Sequence, residues 1–279
     1  MLKRIGFFAY GAVCYAIFFG TFLYAIGFIG GLFVPTKLDG PPTGPLARGI
    51  AIDAGLLAVF AIQHSIMARR WFKQAWTRVV PPVLERSTYV VLSSLALILL
   101  FWQWRPLGGV VWSVTDPIGR AVLLSLFAFG FGLVLVSTFL INHFDLFGLR
   151  QVWLFLLGKP YTRLKFGTPG PYRLVRHPLY VGWFFAFWMT PTMTYAHLLF
   201  AIATAAYILI AIQFEERDLV HEYGPMYEDY RRRVPMLIPF MRGSGSTRQK
   251  LERAGAAALM LFLIKGVAWL VIAGAVLFR

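Results

Sequence analysis

Cysteine is nearly absent: Cys14 is the only one in 279 residues. No intrachain disulfide can form, so the disulfide-stapled secreted modules are excluded, and a zinc site built on cysteine ligands has no material. Charge is scarce as well, at 14% of residues where soluble domains carry roughly a quarter. Acids are the rarer sign, 12 against 27 basic residues. What remains is apolar: 58% of the chain is hydrophobic and 17% aromatic, with a mean hydropathy of +0.67. Disorder and collagen-like fibres are thereby ruled out, and the composition describes a polytopic membrane protein.

A formal charge of +15 would point to nucleic acid in a soluble protein. In a membrane protein it marks cytoplasmic loops, so its distribution decides. Stretches of about 20 apolar residues are needed to cross a bilayer as helix. Candidate spans are 5–34, 50–68, 88–104, 119–142, 178–195, 198–214 and 254–278. The first is read as a span and not a cleaved signal peptide, because its apolar run continues to Val34. The fifth is short and interrupted by Pro191, and is expected to form a tight hairpin with the sixth near residues 192–197. With these spans, 21 Lys and Arg fall on the side of the N-terminus and 4 on the other. That asymmetry places the N-terminus in the cytoplasm and removes the case for nucleic acid as a partner.

The expected fold is therefore all-α: a polytopic transmembrane helical bundle of about seven spans. A unit over 1–239, with N-terminal helices over 1–145, is followed by a linker over 240–253 that contains Gly-Ser-Gly-Ser-Thr. An appended helix over 254–279 closes the chain.

Where polar side chains are few, their address carries information, because ionisable groups at membrane depth cost several kcal/mol. His64 ends the second span, Asn142, His143 and Asp145 close the fourth, His177 opens the fifth, and Glu215 and Glu216 close the sixth. All fall on the cytoplasmic side, as do four of the five histidines. Singly each has a bland reading. His64 suits a helix end bonded to a carbonyl, Glu85-Arg86 an interfacial ion pair, and Glu215-Glu216 a partner for nearby arginines. No His-x-x-x-His pair suggests a metal site. Arg176-His177-Pro178-Leu179-Tyr180 says more: Pro178 suits the first turn of a helix, whose free N–H groups favour an anion beside Arg173 and Arg176. Leu219, Tyr223, Tyr227 and Tyr230 recur at intervals of four and three, as in an amphipathic helix capping a pocket. A ligand with a carboxylate, an amine, a ribose and a sulfonium would use all of these groups, and aromatic faces suit the sulfonium.

Arg-His-Pro-Leu-Tyr-Val-Gly at 176–182, followed by Glu-Glu-Arg-Asp-Leu-Val-His-Glu-Tyr-Gly-Pro-Met-Tyr-Glu-Asp-Tyr and Val-Pro within 215–239, resembles the C-terminal signature of the isoprenylcysteine carboxyl methyltransferase superfamily. Gln-His-Ser-Ile-Met-Ala-Arg at 63–69, Pro-Pro-Val-Leu-Glu-Arg-Ser-Thr-Tyr at 81–89, Phe-Trp-Gln-Trp-Arg-Pro at 101–106 and Asn-His-Phe-Asp-Leu-Phe-Gly-Leu-Arg-Gln at 142–151 are similar to the bacterial methanethiol S-methyltransferase group, akin to NnrU-type membrane proteins. The resemblance implies a bacterial inner-membrane enzyme whose C-terminal cap, over the signature region 146–239, covers a cytoplasmic pocket for S-adenosyl-L-methionine. It implies methylation of a small thiol, methanethiol giving dimethyl sulfide, without a metal. Tyr172, Arg176, His177, Tyr180, Glu215 and Glu216 are carried over as donor-binding residues. His64 and His143 are the candidates for activating the thiol, with Asp145 orienting one imidazole. Rival readings are a sister enzyme acting on a prenyl-cysteine carboxylate or a phospholipid amine, an NADPH-dependent membrane reductase, and a non-enzymatic channel or accessory protein.

Overall fold

Proline and glycine set most helix boundaries in the computed structural model, which describes residues 1–239. α1 (Leu2–Gly30) ends at Gly31, whose left-handed φ of 70° lets its N–H cap the Gly27 carbonyl. α2 (Leu46–Ala68) follows Pro45, and a short α3 (Arg70–Trp76) follows a break at Arg69. α4 (Pro82–Gln103) begins with a proline, where the missing N–H costs nothing, and stops ahead of Pro106. β1 (Val110–Ser113), α5 (Pro117–Ile141), α6 (His143–Leu146) and α7 (Leu149–Leu156) come next. A 3-10 turn at Gly170–Arg173 leads to α8 (Pro178–Trp188), β2 (Thr192–Thr194), α9 (Tyr195–Tyr223) and α10 (Pro225–Arg233).

Among the described residues five helices, α1, α2, α4, α5 and α9, are long and apolar enough to cross a membrane. Large side chains such as Ile62, Phe129 and Ile210 stand exposed on them, which suits lipid better than water. Two expectations change. The fifth candidate span is α8, which starts at Pro178 as expected but has only 11 residues, about 16 Å of helix, too short to cross. Its end at Trp188 leads into β2, which pairs antiparallel with β1 as a small ribbon among the helices. The Trp112 indole N–H donates to the Thr190 carbonyl at 3.2 Å and anchors the pairing. The sixth span is longer than expected: α9 runs on to Tyr223 and breaks only at Gly224. The linker over 240–253 and the helix over 254–279 lie outside the described residues.

The described residues form two compact units, 1–108 with 141–165, and 109–140 with 166–239. In the first, α1, α4 and α7 pack together because Gly11 leaves room for Val152: a Cβ there would stand 2.5 Å from the valine. The C-terminal end of α4 is pinned by Asp53, fully buried on α2, whose Oδ1 accepts the Arg105 N–H at 2.9 Å. The Trp104 indole donates to the Leu38 carbonyl at 3.2 Å. In the second unit, α5 and α8 approach at Gly130 and Gly182. A Cβ on Gly182 would lie 2.7 Å from the Gly130 carbonyl oxygen, so only glycine permits this contact. Ala186, Trp188, Ala196, Ala201 and Ala205 fill the core beside it.

Candidate functional site

The second unit holds the paired glutamates. Glu215 and Glu216 are adjacent on α9, so they project about 100° apart and meet different partners. They lie eight and seven residues before the helix end, so its dipole bears little on them. Glu216 is buried. Its Oε1 accepts from Arg176 Nε at 2.6 Å and lies 3.0 Å from His177 Nε2. Arg176, itself 4% exposed, also donates through Nη1 to the carbonyls of Arg231 at 3.1 Å and Val234 at 2.6 Å. The N–H groups of Arg176 and His177 donate to Pro235 and Met236. One guanidinium thus ties together the entry to α8, the last third of α9 and the extended segment after α10. The Arg176 guanidinium is bonded to a carboxylate and two carbonyls of the protein itself.

Glu215 is the accessible carboxylate, with a side chain 44% exposed. It accepts the Tyr180 hydroxyl at 2.8 Å and lies 3.9 Å from His177 Nδ1. The Tyr172 carbonyl accepts the Tyr230 hydroxyl at 2.6 Å. Phe166 packs against Tyr223, Tyr227 and Tyr230 with ring centroids 5.1, 5.8 and 5.5 Å away. Burial pushes the phenols of Tyr172, Tyr227 and Tyr230 well above the ordinary tyrosine range, so all three stay neutral. The tyrosine spacing expected of one amphipathic helix is carried by two, the end of α9 and α10, because Gly224 turns the chain with a φ of 56°. A carboxylate backed by a phenol, beside neutral aromatic faces, is a donor set that fits a small organic cation.

The first unit holds the other two candidate histidines. His64, in the last two turns of α2, meets the Tyr89 hydroxyl at 2.9 Å and the Ser93 hydroxyl at 3.2 Å, two residues one turn apart on α4. His143 opens α6 and is buried. Its Nε2 lies 2.8 Å from the Tyr15 hydroxyl on α1. Burial holds its imidazole below the ordinary histidine value and therefore neutral. Asn142, just before it, has a φ of 151°, a conformation disfavoured for a side-chain-bearing residue, and its Oδ1 caps α6 by accepting the Asp145 N–H at 3.0 Å. Asp145 does not orient a histidine. Its Oδ1 is paired with Arg150 at 2.8 Å, and its Oδ2 accepts the Tyr161 hydroxyl at 3.3 Å. The cause is chain direction: α6 lasts four residues, and Asp145 turns toward Arg150 on α7 and Tyr161 beyond it.

Sequence reasoning missed Tyr15, Tyr89, Ser93 and Arg150. Tyr89 stands in a motif already singled out, whereas Tyr15 is one aromatic among many on an apolar helix and carries no local signal. Of the remaining histidines, His197 is fully buried and bonded to the Phe187 carbonyl at 3.0 Å, a core role. Among the described residues no group of three metal-ligating side chains forms.

Comparison with known proteins completes this picture. No family model and no solved structure matches the chain. A methanethiol S-methyltransferase of Crocosphaera subtropica is 58% identical over 240 residues, which cover 86% of this chain and 94% of that protein. One from Mycobacterium tuberculosis is 53% identical over 239 residues, 86% of this chain and 98% of the relative. Mouse nurim is 34% identical over 183 residues, 62% of this chain and 69% of the relative. With identity this high across nearly the whole length of its bacterial relatives, the chain belongs to the methanethiol S-methyltransferase family.

Proposed function

We propose that this membrane enzyme transfers a methyl group from S-adenosyl-L-methionine to methanethiol, giving dimethyl sulfide and S-adenosylhomocysteine. The observation that carries the reading is the identity of 58% and 53% to enzymes named for that acceptor, over 94% and 98% of their lengths. The donor supplies an electrophilic sulfonium methyl, and the side chains of the second unit suit it. Glu215, exposed and backed by Tyr180, is free to face the ammonium or the ribose hydroxyls, and the rings near Phe166 offer faces to the sulfonium. Arg176, His177, Glu216 and Tyr172 hold those groups in place through the buried bonds described above. In the first unit, His64 and His143 serve the thiol, while Asp145 holds the turn that presents His143. The excess of basic residues assigns the N-terminus, both groups of polar side chains and the C-terminal cap to the cytoplasmic face of a bacterial inner membrane. Lipid then surrounds the exposed faces of the spans.

Purified protein in detergent, sealed with S-adenosylmethionine and methanethiol, is expected to release dimethyl sulfide into the headspace. Failure to do so, with methyl label appearing in lipid instead, would overturn the thiol reading. Binding of NADPH in place of S-adenosylhomocysteine would overturn the methyltransferase reading altogether.

A further inference from the structure

Methyl transfer to sulfur needs the thiolate, because a thiol is a poor nucleophile. A cysteine thiol, with a pKa of about 8.5, is only about 3% ionised at pH 7, and a simple alkanethiol lies higher still. Histidine bases are one answer. The first unit contains another.

Arg86 sits in the second turn of α4 and is half-buried. The sequence suggested an ion pair with Glu85, but no such pair forms, since neighbours on a helix face about 100° apart. Asp145, the other acid of this region, is taken by Arg150 at 2.8 Å. Among the described residues no carboxylate pairs with the Arg86 guanidinium. Its contact is the face of Tyr89, with the guanidinium carbon 5.7 Å from the ring centroid. The Tyr89 hydroxyl in turn lies 2.9 Å from His64, and Arg86 is within electrostatic reach of both His64 and Tyr161. The positive end of α4 adds to the same field. A half-buried cation lacking an acid partner is costly to hold, which favours an anion from outside the protein. The walls narrow its kind. Phe60 stacks on His64 at 5.2 Å, and Met67 packs with Tyr89 in an apolar cluster that includes Phe72 and Trp76. One guanidinium, one phenol and one imidazole among thioether and aromatic surfaces suit a small, soft monoanion; a phosphate would need more donors.

We propose that Arg86, with the Tyr89 hydroxyl and the His64 imidazole, forms the site that binds the acceptor sulfur as its thiolate anion. The proposal rests on the methyltransferase reading above and names the group that makes its nucleophile. As the thiol binds, its S–H bond breaks and the proton leaves to water, since a guanidinium stabilises the anion without accepting a proton. The thiolate sulfur then forms a bond to the donor methyl, and the methyl–sulfonium bond breaks with its electron pair remaining on the donor sulfur. The sum releases one proton per turnover.

The test compares wild type, Arg86→Met and Arg86→Lys. An opposite charge at this range lowers an acid's pKa by about 1–3 units, so Arg86→Met is expected to lose at least about tenfold in kcat/KM for methanethiol at pH 7. The loss shrinks as pH rises toward the pKa of the free thiol, and Arg86→Lys recovers part of it. Sealed calorimetry in buffers of different ionisation enthalpy is expected to show about one proton released when methanethiol binds wild type, and much less for Arg86→Met. S-adenosylhomocysteine affinity stays at the wild-type value in both variants, which also shows that they are folded. A loss of activity equal at every pH, or dimethyl sulfide formation by a wild type that releases no proton on binding the thiol, would overturn this inference alone. A parallel fall in S-adenosylhomocysteine affinity would assign Arg86 to the donor's carboxylate and overturn it too. A wild type that forms no dimethyl sulfide overturns the functional reading, and this inference with it.

Discussion

Removing the Glu216 carboxylate tests whether the Arg176 cluster is the bolt of the second unit. The two side chains are 11% and 2% exposed, so solvent does little to soften the change. Glu216→Ala leaves a buried guanidinium without its carboxylate, although the carbonyls of Arg231 and Val234 still accept from it. Breaking a buried pair from one side costs about 3–5 kcal/mol. The two carbonyls remain, so the lower end, about 3 kcal/mol, applies. For a chain of this size each kcal/mol moves the midpoint by about 2–4 °C, so the apparent Tm in detergent, followed by tryptophan fluorescence, falls by about 6–12 °C. Glu216→Gln keeps the oxygen that accepts from Arg176 Nε and loses less. The pair Arg176→Met with Glu216→Leu removes both charges and recovers most of the loss, because well-packed apolar side chains commonly replace a buried ion pair at little cost. Glu216→Ala melting within about 2 °C of wild type, or a double variant no better than the single one, would refute the argument.

Two further outcomes follow from the geometry. Gly182→Ala places a methyl 2.7 Å from the Gly130 carbonyl oxygen and 2.8 Å from Val134 Cγ2, forces α5 from α8, and costs about 1–3 kcal/mol, read as a Tm lower by several degrees. His143 is held below its unfolded pKa of about 6.5, so the unfolded chain binds the extra proton first. Its contribution to stability is whole above that pH and declines as pH falls through it, by up to about 1.4 kcal/mol per unit, while His143→Gln loses that part of the slope in parallel thermal unfolding scans.

The long spans were legible because a 20-residue apolar run has few uses other than crossing lipid, and α1, α2, α4, α5 and α9 all lie where the hydropathy pattern predicts. α8 was misread for the same reason in reverse. Its residues are as apolar as a span, but a helix buried in protein needs no particular length, and composition does not tell protein from lipid as the apolar surroundings. The Arg-His-Pro motif and the paired glutamates read correctly as one neighbourhood: His177 lies 3.0 Å from Glu216, and Tyr180 2.8 Å from Glu215. Their division of labour did not. Which glutamate is buried depends on a 100° rotation about α9, set by what packs on each side.

Composition and the placement of rare charges by themselves determined that this chain lives in a membrane, that its polar groups gather near certain helix ends, and that its motifs resemble a methyltransferase. Those conclusions follow from local quantities: the transfer cost of a residue, the length of a run, the spacing of a motif. Partnership is not local. Tyr15 reaches His143 across 128 residues and Arg176 reaches Glu216 across 40, and Asp145 turns to Arg150 only because α6 is one turn long. Arg86 reads in the sequence as the partner of Glu85, and only the fold shows its guanidinium over the Tyr89 ring with no carboxylate among the described residues paired to it. A short-range Coulomb interaction has no meaning until the fold sets the distance, so only the tertiary structure decided which charges are satisfied and which remain for a ligand.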